Sequence, residues 1–235
     1  MAAVTADDFL AHRVTNPGQS EIYRNRLYDF QLYPAAGTAQ LSFFNAAIGQ
    51  GVTSALGAVV GSQKTQADTN METPGTLPSG KSYLIETVEV LFFPGSVNTA
   101  NTYTPAVVGS FAAVANAAVF GPSNDVNTLY QSGVLELNVL SKNYLRETPL
   151  EVFPPKAWLD NSSSALASNA AATGVSSMQI ARAGGRPYYI EPNITLMPAV
   201  NFEVILKWPS PVPLPSGFNG RIGVALDGLF MRASQ

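Results

Sequence analysis

Apolar and polar side chains alternate along two stretches near the end of the chain. The apolar positions are Phe202, Val204, Leu206 and Trp208, followed by Ile222, Val224 and Leu226. Polar residues such as Glu203, Lys207 and Asp227 occupy the intervening or flanking positions. Because successive side chains leave opposite faces of a β-strand, this period of two predicts strands with one buried face.

The same pattern, read along the whole chain, predicts about eight strands in total. The other candidates are Tyr28–Leu32, Leu41–Phe43, Tyr83–Phe93, Leu135–Val139, Leu150–Val152 and Tyr188–Ile190. These strands do not alternate with amphipathic helices, and no segment repeats at a fixed period, which disfavours parallel α/β sheets and repeat folds. We therefore expect an all-β fold, an antiparallel eight-stranded jelly-roll sandwich. A single jelly roll is favoured over a double one, since two would need about sixteen strands.

The pattern also divides the chain into an N-terminal arm, residues 1–26, and one jelly-roll domain, residues 27–235. Long insertions rich in small and polar residues are predicted near 46–80, 95–130 and 156–185, and the segment 160–178 in the last of them is interpreted as a loop or mobile segment. One or two short helices are expected, at Ala6–Arg13 and Gly109–Phe120. Two interpretations of the arm stay open: a frayed terminus, or a segment that orders against a neighbouring subunit.

Charge is scarce in this chain. Charged residues make up 12% of it, whereas about 25% is typical of soluble proteins. Hydrophobic residues make up 46%, which is enough for a folded core. A surface poor in charge suits a protein that is largely covered by copies of itself. The net charge of −3 and the absence of a basic segment argue against strong nucleic-acid binding.

Few residues in the sequence point to catalysis. There is no cysteine, and the only histidine, His12, lies in the predicted arm, so thiolate zinc sites and nucleophilic triads are disfavoured. Carboxylates from different strands could still meet as an acid–base pair. They are Glu86, Glu89, Glu136, Glu151, Glu191, Glu203 and Asp227. Outward-facing alternation explains Glu136 and Glu203 without chemistry, and we expect no catalytic residue, no metal site, no cofactor and no enzymatic activity.

One stretch matches a nucleotide-binding pattern. Residues 75–82, with Gly75, Gly80 and Lys81, satisfy the P-loop spacing of glycines, lysine and serine. A working P-loop follows a buried strand and opens a helix, whereas here a polar turn precedes the motif and a strand pattern follows it. Pro78 also removes a backbone donor from the loop. The favoured interpretation is a turn that leads into a strand.

Targeting and membrane signals are also missing from the sequence. The first ten residues lack the basic and apolar regions of a signal peptide, and no apolar run reaches the roughly 18 residues of a membrane span. A soluble protein is therefore expected.

Several stretches share their composition and spacing with one known family. They are Lys64–Leu77, Ser141–Arg146, Tyr189–Asn193, Phe202–Pro209 and Arg221–Gly228. In them the chain resembles the major capsid proteins of tailless icosahedral bacteriophages and their environmental relatives. The resemblance implies a jelly-roll coat protein standing in a symmetric shell, without catalytic residues to carry over. It leaves open whether an internal membrane lies beneath that shell.

From the resemblance and the composition together we expect a structural coat protein that self-assembles into an icosahedral capsid. The predicted contacts are made by its loops and N-terminal arm, in trimers to hexamers of the same chain, with other capsid proteins as further candidate partners. The expected location is the virion, after assembly in the host cytoplasm. The alternative is a receptor- or carbohydrate-binding jelly-roll module, in which exposed aromatic residues such as Tyr103 or Tyr130 stack on sugar rings. A carboxylate enzyme on the same fold is a third hypothesis.

Overall fold

In the computed structural model, β-strands are the predominant regular structure. This model describes residues 21–51, 63–94, 96–97, 103–104, 125–154, 163–166, 176–179, 187–215, 217 and 219–232. Two four-stranded antiparallel sheets dominate these residues, which confirms the predicted all-β sandwich. No helix in this part of the chain has both the length and the apolar character needed to span a bilayer.

Twelve strands are present within the described ranges. They are β1 Glu21–Tyr33, β2 Gln40–Phe43, β3 Lys81–Phe93, β4 Ser96–Val97, β5 Tyr103–Thr104, β6 Val134–Val139, β7 Lys142–Pro149, β8 Ser163–Leu166, β9 Ser176–Gln179, β10 Tyr188–Leu196, β11 Phe202–Lys207 and β12 Gly220–Arg232. Residues 125–132 are helical, and a short 3-10 helix spans Leu150–Val152.

The long strands form the two layers of the sandwich. The first sheet has the order β1-β12-β3-β10, and the second has the order β2-β11-β6-β7. The strand pairs β4–β5 and β8–β9 form separate two-stranded ribbons. Each large sheet thus ends on one side at β1 or β2 and on the other side at β10 or β7.

The core lies between the two sheets, and the predicted alternation produces it. On β12, Ile222, Val224 and Leu226 are buried on the inner face, and they face the buried inner side chains of β11 and β6. Trp208 closes the end of this core, where its indole Nε1 donates to the backbone oxygen of Leu129 at 3.2 Å. The strand predictions for β3, β6, β11 and β12 are confirmed.

The first predicted strand is confirmed, but its buried face is not the one that the apolar residues suggested. Tyr28, Phe30 and Leu32 are only partly buried, whereas Asp29 and Tyr33 are completely buried on the opposite face. The reason is that Asp29 has a buried cationic partner, Lys64, so a polar residue is accommodated on the inner face.

Three further predictions need correction. Leu150–Val152 is a 3-10 helix rather than a strand, and the neighbouring strand is β7, which buries only Leu145 and therefore shows no apolar alternation. Strand β10 continues to Leu196, well beyond the predicted end at Ile190. The segment 160–178, interpreted as a loop, contributes strands β8 and β9, which pair with each other.

The predicted arm reaches only partly into the described residues. Its last six residues, Glu21–Arg26, belong to β1 and pair with β12, so the strand begins before the predicted boundary at residue 27. Residues 1–20 and both predicted short helices, Ala6–Arg13 and Gly109–Phe120, lie outside the described residues. Of the insertion near 46–80, the described residues 46–51 and 63–80 contain only isolated bridges and turns.

Candidate functional site

The P-loop match does not form a phosphate cradle. Lys81 is the first residue of β3, so a strand follows the motif, as the sequence interpretation predicted. The Lys81 ammonium contacts both carboxylate oxygens of Glu72, at 2.5 and 2.6 Å. The amide of Gly75 donates to the carbonyl oxygen of Phe44 at 2.7 Å. The lysine and this glycine amide are thus engaged within the protein.

Some of the carboxylates expected from different strands do meet, and arginines hold them together. On the outer face of the first sheet, Arg24 contacts Glu86 at 2.5 Å and Asp227 at 3.1 Å. Arg26 donates to both oxygens of the fully buried Glu89, at 2.9 and 3.0 Å. The hydrogen bond to Glu86 raises the pKa of Arg24, which keeps this guanidinium charged. The arrangement joins β1, β3 and β12 and resembles a structural ion-pair network more than an acid–base pair.

The remaining predicted carboxylates lie apart from this network. Glu136 on β6 pairs with Lys207 on β11 at 2.7 Å, across the outer face of the second sheet. Glu151 follows β7, Glu191 lies on β10 and Glu203 lies on β11. Within the described ranges, no three His, Asp or Glu side chains converge as a metal site would require.

A buried ion pair, which the sequence did not reveal, joins Asp29 of β1 to Lys64. Lys64 Nζ is 2.5 Å from Asp29 Oδ1, and both side chains are almost fully buried. The second oxygen of Asp29, Oδ2, accepts the amide of Phe44 at 2.7 Å. Burial raises the pKa of Asp29, and the charge of Lys64 partly offsets this shift. The pair joins the edge of β1 to a connecting segment far away in sequence.

That connecting segment, residues 63–71, is called the strap below, and it covers the free edge of β1. Within it, the carbonyl of Asp68 accepts the amide of Phe30 at 2.7 Å, and Thr69 forms a β-bridge with Asp29. The side chain of Asn70 accepts from the amide of Tyr28 at 3.0 Å and donates to the carbonyl of Arg26 at 2.7 Å. The strap thus satisfies backbone groups that an edge strand would otherwise leave open.

The opposite side of the sandwich is built differently. There β7 and β10 are the last strands of their sheets, and within the described residues neither has a second neighbouring strand. A groove of about 330 Å³ lies between them, and we call β7, β10 and residues 150–152 the β7–β10 edge. The groove is lined by Tyr144, Leu145, Tyr188, Ile190, Glu191, Pro192, Asn193, Ile194 and Thr195.

Apolar side chains are exposed along this edge. Tyr144 is 48% exposed, Tyr189 is 54% exposed and Val152 is 38% exposed. The aromatic residues that the sequence suggested do not form such a surface. Tyr130 is partly buried and its hydroxyl donates to the carbonyl of Val90 at 2.6 Å, while the side chain of Tyr103 lies outside the described residues.

Charged side chains without an ion-pair partner are also concentrated at this edge. Every described lysine and arginine except Lys142 and Arg146, both on β7, lies within ion-pair distance of a carboxylate. Among the glutamates that the structure describes, those without an ion pair are Glu147, Glu151, Glu191 and Glu203. All of these charges except Glu203 belong to the β7–β10 edge. Because every other described lysine, arginine and glutamate except Glu203 has an ion-pair partner, this edge is our candidate functional site.

Comparison of the chain with known protein families, with curated proteins and with solved structures found no match.

Proposed function

We propose that this protein is a structural coat protein with a single jelly-roll domain, and that it self-assembles into an icosahedral shell. The observation that carries the proposal is the order of the eight sandwich strands. Numbered along the chain, one sheet contains the first, eighth, third and sixth strands, and the other contains the second, seventh, fourth and fifth. This order supports the proposal, because it is the one expected when two Greek keys interlock as a jelly roll.

The distribution of charge supports a shell-forming role for this sandwich. A jelly roll by itself does not determine function, because many unrelated activities use the same fold. Here, however, the chain carries 12% charged residues, and most described cations are already paired within the molecule. Interfaces between subunits are poorer in charge than free surface, so this surface suits contact with further copies.

The proposal is tested by the mass and shape of the purified protein. We expect shells, or trimers to hexamers that close into shells at higher concentration, in light scattering and negative-stain electron microscopy. Chemical cross-linking across a concentration series detects self-association that is too weak to survive purification. A protein that remains monomeric at every concentration by all three measurements contradicts the proposal.

Carbohydrate binding is a second candidate function, and the groove at the β7–β10 edge favours it. Tyr144 and Tyr188 line that groove together with Glu191 and Asn193, whose side chains can hydrogen bond to sugar hydroxyls. A glycan array probed with the native protein and with Tyr144→Ala tests this candidate. Binding that is lost in the variant, from a protein that does not self-associate, would favour this function over the coat role.

A further inference from the structure

We propose that the β7–β10 edge is the contact surface for a second copy of this chain, related to the first by a two-fold axis. The inference deepens the proposed function and rests on it, because it names the part of the molecule through which copies meet. Four features support it: the unpaired charges of both signs, the exposed apolar side chains, the open groove, and the strap that covers the edge of β1 on the other side of the sandwich.

The unpaired charges suit a partner with the same surface. A two-fold contact places one patch against an identical patch, so each sign of charge must find its complement within that patch. The β7–β10 edge holds both signs: Lys142, Arg146 and Glu147 lie on β7, Glu151 lies in the 3-10 helix that follows, and Glu191 of β10 lines the groove. A second copy can therefore pair the cations of one subunit with the glutamates of the other. A purely acidic or purely basic partner would leave one of the two sets unpaired.

The exposed tyrosines would supply the apolar centre of the contact. Tyr144 lies between Lys142 and Arg146 on β7, and Tyr189 lies on β10, which borders the same groove. Tyrosine and arginine are enriched at the centres of protein interfaces, where the ring buries apolar area and the hydroxyl keeps a hydrogen bond.

The contact is made by side chains and does not extend either sheet. The pairing of β7 with β6 shifts register twice, and Glu147 has a φ angle of 49°, so β7 does not present a regular row of backbone groups. Pro149 ends the strand and has no amide hydrogen to donate. Charged residues and bulges of this kind protect edge strands from continuous pairing with another chain.

The size of the edge indicates how strong the contact is. Eight residues of strand extend about 26 Å, and two sheets lie about 10 Å apart, which gives a strip of roughly 260 Å². A stable pair of proteins needs about 800 Å² on each side. The edge is therefore a weak contact on its own, and it gains strength where a shell holds many copies together.

Two matched double variants test the inference. Lys142→Glu with Arg146→Glu makes the edge acidic, and Glu147→Lys with Glu191→Lys makes it basic. Two copies of the same variant carry like charges on this edge and repel each other. We therefore expect self-association to weaken at least tenfold in sedimentation velocity at low salt. A 1:1 mixture of the two variants restores association, because opposite patches then face each other. Glu203→Lys, which changes an unpaired glutamate on β11, serves as the control and keeps the native behaviour.

The outcomes separate this inference from the proposed function. Loss in each variant and recovery in the mixture support the edge contact, provided that circular dichroism shows both variants folded. Shells from the native protein together with undiminished association of both variants overturn the edge contact and leave the coat role standing. A native protein that never self-associates overturns both. Because exposed charges are screened by salt, we also expect the differences to shrink at high ionic strength.

Discussion

At the scale of single residues, Lys64 has the most consequential position. Its ammonium lies 2.5 Å from the buried Asp29 carboxylate, and both groups are removed from water. An ion pair of this kind adds little net stability over an apolar pair, but loss of one partner leaves an uncompensated charge in the core. Lys64 therefore keeps the strap against β1, because separating the two side chains would leave a buried charge without its partner.

Replacing Lys64 by methionine should destabilise the fold strongly at neutral pH. We expect a loss of about 3–5 kcal/mol in the free energy of unfolding, measured by urea denaturation. The matched control is Lys81→Met, whose ion pair with Glu72 is solvent-exposed and should contribute less than about 1 kcal/mol. Similar losses in the two variants would show that the buried pair has no special role.

The deficit of Lys64→Met should also depend on pH. Burial already raises the pKa of Asp29, and removal of Lys64 eliminates the strongest contact that lowers it. A carboxyl with a raised pKa in the folded state binds its proton more tightly there, so stability falls as the pH rises from the ordinary aspartate value of about 3.9. The variant should therefore lose least near pH 4 and most at pH 7, in denaturation series at both values. A deficit that grows on acidification would contradict this account.

Gly228 is a second residue whose identity is dictated by its surroundings. It lies where the register of β12 against β3 shifts, and a Cβ atom there would be 1.8 Å from the carbonyl oxygen of Leu84. Since that atom belongs to backbone, Gly228→Ala should cost about 3 kcal/mol or more. At Gly223 a Cβ would meet the partly exposed side chain of Phe30, which can shift further than backbone can, so Gly223→Ala should cost about 1–2 kcal/mol. Thermal unfolding of both variants measures this difference, and equal losses would refute the distinction between backbone and side-chain obstruction.

At the scale of elements, the start of β1 decides how the N-terminal arm can be studied. Arg24 and Arg26 lie in β1 and neutralise Glu86, Asp227 and the fully buried Glu89. Removal of residues 1–26 would therefore remove the first six residues of β1, which pair with β12. It would also remove Arg26, which contacts the buried Glu89. Removal of residues 1–20 leaves β1 intact, because this strand begins at Glu21.

The two truncations should consequently behave differently. Removal of residues 1–20 should leave a folded β protein whose assembly into shells is impaired, as expected if the arm contacts a neighbouring subunit. Removal of residues 1–26 should lower the free energy of unfolding by several kcal/mol, because it also removes six paired residues of β1 and the arginine that contacts the buried Glu89. Circular dichroism with thermal unfolding reports the fold, and electron microscopy reports assembly. Normal shells from the shorter truncation would reject a role of the arm in assembly.

Elements with one apolar face were predictable from sequence, and those stabilised in other ways were not. Strands β3, β6, β11 and β12 have long inner faces of apolar residues, so alternation located them. Strand β7 buries only Leu145, and Pro192 with its polar neighbours interrupts the apolar alternation along β10, so the sequence did not reveal the full length of either strand.

The candidate site was still harder to predict, because it depends on pairs that are distant in sequence. Lys142 and Arg146 look like any exposed cations until the partners of Arg24, Lys64 and Arg221 are known. For example, Arg24 lies 62 residues from Glu86 in sequence, and no local pattern indicates that the two side chains are in contact. The sequence did indicate the low charge of the chain, but not where its unpaired charges are concentrated.

At the scale of the whole molecule, the two lateral sides of the sandwich are unequal. On one side the strap covers the edge of β1 and is held there by the Asp29–Lys64 pair. The other side presents a groove, exposed tyrosines and the unpaired charges of β7 and β10. The ion pairs of the described chain thus lie outside the surface that we assign to a neighbouring copy.

The strap has a consequence for the way copies of the chain can grow into larger structures. A sandwich with two open lateral edges could join head to tail without limit, and such open chains lead to fibres. With the β1 edge occupied by residues 68–70, the first sheet of the described chain has one open lateral edge, at β10. Joining through the open edge of this sheet then stops at pairs, and a larger object must link those pairs through other surfaces.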